Sequence, residues 1–193
     1  MARNIVPRTD KGADLGTTEK RWNRVYADAV IATNVQGGNL GAVEQSAGTE
    51  AALRSIITNA GSNPVTITIY DDISIVATNL TIPSNVHLNF KDDGRLSPTD
   101  GIALIIEGNI CAGPWQIFGV NGTIELYNQI FTYPEWFGAK RDGITDDTIA
   151  LQKCANSTKE GTIVLGIGEY IVNGQITIPK DVNLIGQGMD VSI

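Results

Sequence analysis

The sequence predicts a mainly β protein with short helices, in which short strands stack on one another. Apolar and polar residues alternate in several short segments between residues 65 and 127, as in half-buried strands. One unit, a helix followed by strands, occurs twice along the chain. No run of about 18 apolar residues exists, and the first residues lack the apolar stretch of a secretory signal. We therefore expect a protein that is made in a cytoplasm and does not insert into a membrane.

The composition narrows the classes of function. The 193 residues carry a net charge of −7, with six basic and four acidic side chains in residues 1–30. This basic bias is too weak for a nucleic-acid-binding arm, and docking on a protein partner is the preferred interpretation. Cys111 and Cys154 lie far apart without a CxxC motif, which argues against a disulfide framework or a zinc site. Both are predicted to be small buried side chains, and no cofactor is expected.

Residues 1–48 are predicted to be an N-terminal segment and linker. Glycine is frequent and apolar periodicity is weak, so this segment buries little surface by itself. Its densest patch is KRWNRVYADAVIA, where the alternation suits a short strand. Such a strand needs partner chains, unless it forms a hairpin that packs on the rest of the domain. The predicted contacts with sister chains or with a partner are Arg21, Trp22, Arg24 and Tyr26, because arginine and large aromatic residues dominate interface energetics.

Residues 49–134 are predicted to be a helix-capped, β-rich domain. In TEAALRSIITNAG, apolar residues recur at helical spacing from Leu53 to Ala60, with Thr49 as a candidate N-cap and Gly61 as a candidate end. Strands are predicted in VTITIY, ISIVA, LTIPSNVHLNF, ALIIEGNI and GTIELY. Their inward-facing residues are mostly valine, isoleucine and leucine, which predicts a continuous apolar core.

Residues 135–193 repeat this unit. GQITIPKDVNLIG, at 174–186, matches TNLTIPSNVHLNF, at 78–90, with an offset of 96, and the helix around Leu151 matches that around Leu53 with an offset of 98. A single unit leaves the end of a strand stack open, so another coil or a cap must cover it. The repeat therefore predicts a β-solenoid with helices as caps over its ends. A β-sandwich is the main alternative.

The stretch EWFGAKRDGITDD, residues 135–147, places four acidic side chains and two glycines directly before the second helix. Paired carboxylates could perform acid/base chemistry or bind calcium. Alternatively, the acids cap the helix and the glycines permit the positive φ angles of a tight turn; Thr145 is a further candidate cap. The residues predicted to shape this turn and helix start are Gly138, Asp142, Gly143, Asp146 and Asp147.

Other candidate sites have less support. His87, the only histidine, lies at an outward-facing position without a nucleophile motif, so a surface role is preferred. The glycines at 166–168 do not form a nucleotide-binding GxGxxG loop. An aromatic group could form a carbohydrate platform, although packing at a domain junction is preferred; its members are Trp115, Tyr133, Trp136 and Phe137. No catalytic, metal-binding or cofactor-binding residue is assigned.

Residues 135–188 resemble the start of the pectate-lyase-like, right-handed β-helix family, which is common in phage tailspikes. The family pattern runs FGAxGDGxTDDTxAxQxA, then GGTVxLPxGxYxI, then LxIPxxVxLxGxG, and the chain has FGAKRDGITDDTIALQKCA, EGTIVLGIGEYIV and ITIPKDVNLIGQG in this order. It departs from the pattern at Arg141, where the family has glycine, and with GIGEY for PPGTY. The resemblance implies that a right-handed parallel β-helix starts at residue 135. It also implies that sugar-cleaving acids lie on later coils or between subunits, so that residues 135–147 are structural.

Residues 13–35, ADLGTTEKRWNRVYADAVIATNV, are similar to the DLGSxxxRWxxVYA motif of phage tail fibres and tailspikes, where such pieces lie near the virion anchor. Together the two resemblances imply a structural virion protein, the N-terminal part of a homotrimeric tailspike or tail fibre. Such a protein is produced in the host cytoplasm and located in the phage tail. The implied partners are sister chains, a tail protein (adaptor, nozzle or baseplate) and host surface polysaccharide, bound by a region beyond residue 193.

The chain stops at GQGMDVSI, within the first expected coils. We therefore predict an N-terminal fragment without enzyme activity, whose full-length form could be a polysaccharide depolymerase. Two alternatives stay open. One is a β-helix lyase or hydrolase of phage or bacterial origin that degrades polysaccharide, and the other is a carbohydrate-binding module.

Overall fold

The structure is a computed structural model that describes residues 43–187. Within this range the chain is mainly β with short helices, which confirms the predicted fold class at this level. The helices are α1 at Glu50–Ala60, α2 at Thr148–Ser157 and a 3₁₀ helix at Pro134–Phe137. None of the helices in the described range is long and apolar enough to cross a membrane.

The described residues form fourteen short strands. They are β1 Val43–Ala47, β2 Val65–Ile69, β3 Asp72–Ile75, β4 Leu80–Ile82, β5 Val86–Phe90, β6 Arg95–Pro98, β7 Ala103–Ile106, β8 Ile110–Cys111, β9 Thr123–Leu126, β10 Phe131–Thr132, β11 Asp142–Asp146, β12 Gly161–Leu165, β13 Glu169–Ile171 and β14 Val182–Gly186.

Every strand pairing among the described residues is parallel. The strands form five sheets, with the orders β1-β2-β5-β8, β3-β6, β4-β7-β9, β10-β12-β14 and β11-β13. A β-sandwich of the immunoglobulin type packs two antiparallel sheets. The sandwich alternative is therefore wrong.

The chain visits three of these sheets repeatedly and in the same order. It passes through β2, β3 and β4, and then β5, β6 and β7 pair with those three strands in turn. A third passage follows through β8, a parallel bridge between Leu96 and Phe118, and β9. The paired residues Val65 and Val86 are 21 positions apart, so each strand lies directly against the strand of the preceding passage.

The second unit repeats the first, as the sequence predicted. Gly161 pairs with Val182 and Val65 pairs with Val86, so the offset of 96 holds in both strands of the pair. The first helix begins and ends as predicted. Thr49 caps it by accepting a hydrogen bond of 3.2 Å from the Ala52 N–H, and Gly61 ends it with φ +55°.

Apolar side chains from both units form one core, which extends along the chain from Ala47 to Val182. Alternate strand residues point into it, and the inward-facing Ile67, Leu88 and Leu104 are 0% exposed. Burial of each such side chain contributes about 1.5–3 kcal/mol to folding. Aromatic rings from successive passages also contact one another inside the core, edge to face or tilted. The ring centroids of Phe90 and Phe118 are 6.2 Å apart, and those of Phe118 and Phe137 are 5.2 Å apart.

The positions of the two helices differ from the predicted pair of end caps. Helix α1 packs on β1, the first strand of its sheet, and on β3. Helix α2 instead packs on the 3₁₀ helix and on β9, the last strand of the sheet β4-β7-β9. It therefore lies before the sheet that ends in β14. No helix within the described range covers β14, and the side chain of Leu184 on that strand is 47% exposed. Within residues 43–187 the predicted helix cap is therefore present at the first strand of the stack and not at β14.

Two smaller expectations are also corrected. The linker predicted for residues 1–48 ends in a strand, because Val43–Ala47 forms β1 and pairs with β2. Of residues 44–47 only Ala47 is buried, so this strand lacks the apolar alternation that would have identified it.

Cys111 is exposed rather than buried, because it pairs with Asn89 on the outward face of β5 and β8. The domain boundaries at 48/49 and 134/135 stay predictions.

Candidate functional site

The two units differ most where a strand joins the helix. In the first unit β1 ends at Ala47 and α1 begins at Glu50. In the second unit β10 ends at Thr132 and α2 begins only at Thr148, and the residues between them form the 3₁₀ helix and β11. We call residues 133–147 the insertion. It contains the whole acidic stretch that the sequence singled out.

The 3₁₀ helix fixes the start of the insertion. Pro134 occupies its first turn, where a fixed φ favours helix initiation. Gly138 ends it with φ +101° and donates its N–H to the carbonyl groups of Pro134 and Glu135. The indole N–H of Trp136 donates to the Gly113 carbonyl at 3.1 Å, and the Trp136 carbonyl accepts from the N–H of Ile117 and Phe118. This helix is therefore held against residues 113–118.

Asp147 closes the insertion. Its carboxylate is 1% exposed and accepts hydrogen bonds from the N–H of Lys140 at 2.7 Å and of Arg141 at 3.0 Å. It makes no side-chain hydrogen bond to the start of α2. Asp146 contacts that start instead, since its Oδ1 accepts from the N–H of Thr148 at 2.9 Å. Of the candidate caps, Asp146 therefore bonds the helix start, whereas Asp147 does not, because its carboxylate is engaged with the backbone of the insertion.

Asp142 and Gly143 form a tight turn within β11. The Asp142 carboxylate accepts from the N–H of Ile144 and from both the N–H and the hydroxyl of Thr145, at 2.7–2.9 Å. These bonds, led by that from the Thr145 N–H, hold the pKa of Asp142 below its usual value. Gly143 has the positive φ that the sequence predicted, +69°. Thr145 is therefore a donor to Asp142 and not a helix cap.

A polar cluster around the buried Glu135 lies between the insertion and the residues that follow β12. Glu135 is 3% exposed. Its Oε1 accepts a hydrogen bond from the Tyr170 hydroxyl at 2.7 Å and lies 3.4 Å from Nη1 of Arg141. The Tyr170 hydroxyl in turn accepts from the N–H of Gly166 at 3.0 Å. We call Glu135, Arg141 and Tyr170 the Glu135 cluster.

The second carboxylate oxygen of Glu135 is not satisfied. Oε2 is buried and has no hydrogen-bond partner among the described residues. A buried polar atom without a partner is uncommon in folded proteins, because its desolvation costs free energy. Burial raises the pKa of Tyr170, and the hydrogen bond to Glu135 raises it further. The phenol therefore stays a neutral donor at physiological pH, and Glu135 is the acceptor.

Both departures from the family pattern meet at this cluster. Arg141 has φ +47°, a backbone region that favours glycine and costs other residues about 1–2 kcal/mol. Gly166, from the unusual GIGEY, has no side chain where Arg141 and Glu135 approach it, and a Cβ there would collide with the Arg141 guanidinium. Sequence reasoning noted both departures but assigned them no role. Because they are 25 residues apart in the chain, only the fold brings them together.

A cleft of about 290 Å³ opens beside the cluster. It is lined by Ala112, Gly113, Pro114, Tyr133, Glu135, Arg141, Gly166 and Gln187. Its walls thus combine small apolar residues, one aromatic ring, an ion pair and an amide. This cleft is the candidate functional site.

The other predicted site residues lie elsewhere. The four predicted contact residues, Arg21 to Tyr26, lie outside the described residues. Trp136 and Phe137 are 3% and 6% exposed and pack in the core, so they are unavailable for a carbohydrate platform. His87 pairs with Thr66 on the outward face of β5 and is partly exposed. No group of three or more potential metal-ligating side chains occurs within residues 43–187.

A second cleft of about 270 Å³ lies beside α2. Its one cationic lining residue is Lys153, whose ammonium group donates to the Val120 carbonyl. The other polar lining side chains belong to Asn121, Thr123, Asn156 and Ser157. None of them is a buried group without a partner among the described residues. The cleft at Glu135 is thus the better candidate for ligand binding.

Comparison with known proteins gives a match for part of the chain. Residues 135–193 match the model of the rhamnogalacturonase A/epimerase, pectate lyase-like family. The match begins at the residue where the sequence resemblance was found, and it confirms that resemblance for this part. No solved structure matches the chain significantly. The similarity of residues 13–35 to tail-fibre motifs stays a prediction.

Among curated proteins, the chain is similar to two phage proteins. It is 39% identical over 59 residues to a depolymerase specific for capsule K30/K69 of Klebsiella phage K64-1, and 36% identical over 58 residues to depolymerase 1, with the same specificity, of Klebsiella phage K5-2. It is also 37% identical over 67 residues to the mannuronan C5-epimerase AlgE1 of Azotobacter vinelandii. Each alignment covers 30–31% of this chain and only 5–8% of the relative.

Proposed function

We propose that the chain is the N-terminal part of a phage tailspike or tail fibre. Residues 1–48 attach it to the tail, and the following residues form the start of a right-handed parallel β-helix. The observation that carries this proposal is the coincidence of two findings in residues 135–187. They match a pectate lyase-like family, and they continue a stack of parallel strands. The similarity to two phage depolymerases favours the virion tail as the location.

The role of the described residues in this proposal is structural. They extend a core of apolar side chains from one strand passage to the next, as in solenoids, in which each repeat packs on its neighbours. In this proposal a downstream region binds host surface polysaccharide. Homotrimer formation would give the stack a second source of stability, and a tail adaptor, nozzle or baseplate protein would be its other partner.

Electron cryo-microscopy of intact phage tails tests the attachment. We expect trimeric density for this chain at the tail, with residues 1–48 against a tail protein. Trp22→Ala should reduce incorporation into particles, because a large aromatic side chain is lost from the proposed interface. Trp115→Ala is the matched control, since Trp115 is 38% exposed and lies outside the proposed anchor. Absence of the chain from particles, or equal incorporation of both variants, would contradict the proposal.

An enzyme is the second candidate, because the relatives include two depolymerases and an epimerase. Among the described residues that line the candidate cleft, Glu135 is the one carboxylate. Hydrolysis of glycosidic bonds generally uses two. We therefore assign any depolymerase activity to the region beyond residue 193. Incubation of capsular polysaccharide with the 193-residue chain and with the full-length protein separates the two cases, since release of reducing ends by the shorter chain would favour the enzyme here.

A further inference from the structure

The tripeptide Val-Asn-Gly occurs twice in the chain, with its asparagine at Asn121 and at Asn173. Asparagine is a thermolabile residue, and a following glycine increases its reactivity, because glycine has no Cβ to hinder its own N–H and gives the backbone freedom to bend. Both asparagines are exposed, and neither lies in a helix or a strand. Local sequence and exposure therefore do not distinguish the two sites, but their hydrogen bonds do.

Asn121 lies in the loop before β9. The loop is held at both ends, because the N–H of Gly119 and the N–H of Thr123 donate to backbone carbonyl groups of the preceding passage at 3.0 and 2.9 Å. Between these two bonds, the side-chain amide of Asn121 and the N–H of Gly122 make no hydrogen bond to another described residue. The side-chain carbon of the asparagine and the nitrogen that can attack it are therefore both unrestrained by such bonds.

The fold requires the glycine that makes Asn121 reactive. Gly122 has φ +65°, a backbone region that favours glycine. A Cβ at this position would lie 2.8 Å from the carbonyl oxygens of Pro98 and Thr99, which is too close for a carbon atom. Any other residue at 122 would therefore have to displace the backbone of the preceding passage.

Asn173 is held in place by the second helix. Its N–H donates to Oγ1 of Thr148 at 2.9 Å, and its side chain is hydrogen-bonded to the carboxylate of Asp146. The segment that follows is also fixed, because the side-chain amide of Gln152 donates to the Thr177 carbonyl at 3.0 Å and accepts from the Thr177 N–H at 2.8 Å. The asparagine side chain must leave Asp146 before it can turn toward the next backbone nitrogen.

From this contrast we propose that Asn121 is a site of spontaneous deamidation and that the fold protects Asn173 from the same reaction. The nitrogen of Gly122 forms a bond to Cγ of Asn121 and gives up its proton, the bond between Cγ and Nδ2 breaks, and ammonia leaves. Water then opens the cyclic imide at either carbonyl carbon. One product has aspartate at 121, and the other has isoaspartate, in which the backbone runs through Cγ and gains a carbon atom.

The two products have different consequences for the contact between the loop and α2. Asn121 and Lys153 line the same cleft of about 270 Å³, and the ammonium group of Lys153 donates to the Val120 carbonyl. A carboxylate at 121 attracts this ammonium group, so the aspartate product should keep the contact. Isoaspartate lengthens a loop that is held at both ends, so it should displace Val120 and weaken the contact.

The test compares the two asparagines within one molecule. The 193-residue chain is incubated at neutral pH, folded in one sample and unfolded by urea in another, and mass spectrometry of its proteolytic peptides follows the conversion of amide to acid at each site. In the folded chain we expect Asn121 to convert several-fold faster than Asn173. In urea the rates should become similar, because both sites have the same flanking valine and glycine. The proposal is overturned if Asn121 does not convert in the folded chain, if Asn173 converts as fast there, or if the difference persists in urea.

A variant tests the protection of the second site directly. Thr148→Val removes the hydroxyl that accepts from Asn173, so it should raise the conversion rate of Asn173 in the folded chain and leave that of Asn121 unchanged. Thr81→Val is the matched control, because Thr81 is an exposed threonine on β4, and it should change neither rate. Equal rates at Asn173 in the two variants would overturn the proposed protection.

A second variant tests the consequence of the reaction. Asn121→Asp reproduces the acid product without the longer backbone. Thermal unfolding should place Asn121→Asp near the parent chain and the purified isoaspartate form below both. Equal unfolding temperatures of the two acid forms would overturn the proposed displacement of the loop. None of these results bears on attachment of the chain to a phage tail.

Discussion

The two units have the same order of helix and strands but differ in their buried side chains. The first unit is residues 43–90 and the second is residues 131–186. Their strand pairs keep the same register. At equivalent helix positions the first unit has Ile56 and Ala60, whereas the second has Cys154 and Thr158. The second pair is buried together with Thr132, whose hydroxyl lies 2.9 Å from that of Thr158. Polar groups thus enter the interior where the second helix joins the strands.

This difference shows where the fold tolerates change. Inward positions on the strands are confined by the strands above and below, so most of them remain apolar in both units; an exception is Glu169, which stands at the position of the buried Ile73. The strand-to-helix junction has no such neighbours, and there the second unit accommodates the insertion and its buried polar groups. Burial raises the pKa of the Cys154 thiol to about 12, so it packs as an uncharged group. The candidate site arises from the junction and not from the strand stack.

The largest expected effect comes from replacing the equivalent leucine in each unit. Leu88 and Leu184 are equivalent strand positions, but Leu88 is 0% exposed and Leu184 is 47% exposed. Leu88→Ala should lower the free energy of unfolding by about 2–5 kcal/mol, because it opens a cavity. Leu184→Ala should lower it by under about 1 kcal/mol. Urea denaturation measures both losses, and equal losses would show that Leu184 is covered in solution.

The next test compares how the two helices are joined to their strands. Asp147→Ala removes the acceptor for two backbone N–H groups and should cost about 2–4 kcal/mol, since each buried donor without a partner costs about 1–3 kcal/mol. Thr49→Ala removes only the N-cap of α1 and should cost about 1 kcal/mol. Thermal unfolding of both variants gives the ranking. A larger loss from Thr49→Ala would show that the Asp147 bonds do not hold the insertion.

The strand stack was predictable from the sequence because each inward position repeats at a fixed spacing. Ile67 and Leu88, and their equivalents Ile163 and Leu184, were located by alternation and by the offset of 96, and the pairing register agrees. Strand β1 was not located, because it lies at the edge of its sheet and carries the exposed polar side chains of Glu44, Gln45 and Ser46. Backbone pairing with β2 holds this segment in the sheet, although its own sequence lacks apolar alternation.

The candidate site was less predictable, for a different reason. The acidic stretch was found and interpreted as structural through Asp142, Asp146 and Asp147, whose carboxylates are engaged in local hydrogen bonds. Glu135 and Tyr170 are 35 residues apart and meet only through the fold. The clearest sequence signal of the cluster was Arg141. It replaces a glycine of the resembled family, so a positive φ at this position must be offset by contacts of the arginine side chain.

The strain at Arg141 gives a third test, of about 1 kcal/mol. Glycine there should relieve the positive φ, which costs other residues about 1–2 kcal/mol, but it also removes the charge beside buried Glu135. We therefore expect Arg141→Gly alone to be destabilising, and Arg141→Gly in a Glu135→Gln background to be stabilising relative to Glu135→Gln. The free energies of unfolding of the parent chain, Arg141→Gly, Glu135→Gln and the double variant, measured by denaturation, give a double-mutant cycle. A sum of independent effects would mean that Arg141 does not stabilise Glu135.

The smallest expected effect is a local loosening at low pH, which can be measured at one backbone amide in each unit. Hydrogen bonds from Thr145 and Ile144 lower the pKa of Asp142 from 3.8. In the first unit burial acts to raise the pKa of Glu50, but hydrogen bonds led by that from the Val76 N–H outweigh it and lower the pKa from 4.5. A carboxylate with a lowered pKa stabilises the fold above its unfolded-state pKa, and this contribution is lost as pH falls through the folded-state value.

Amide hydrogen exchange at Ile144 and Val76 should therefore accelerate on acidification below about pH 4, beyond the intrinsic change in exchange rate. Asp142→Asn should remove the pH dependence at Ile144 and leave that at Val76. Because Asp142 lies at the surface and bonds only within its own turn, its protonation should open that turn without loosening α2. Acceleration throughout α2 would instead show that the turn and the helix start unfold together, and that the insertion is the weaker of the two junctions.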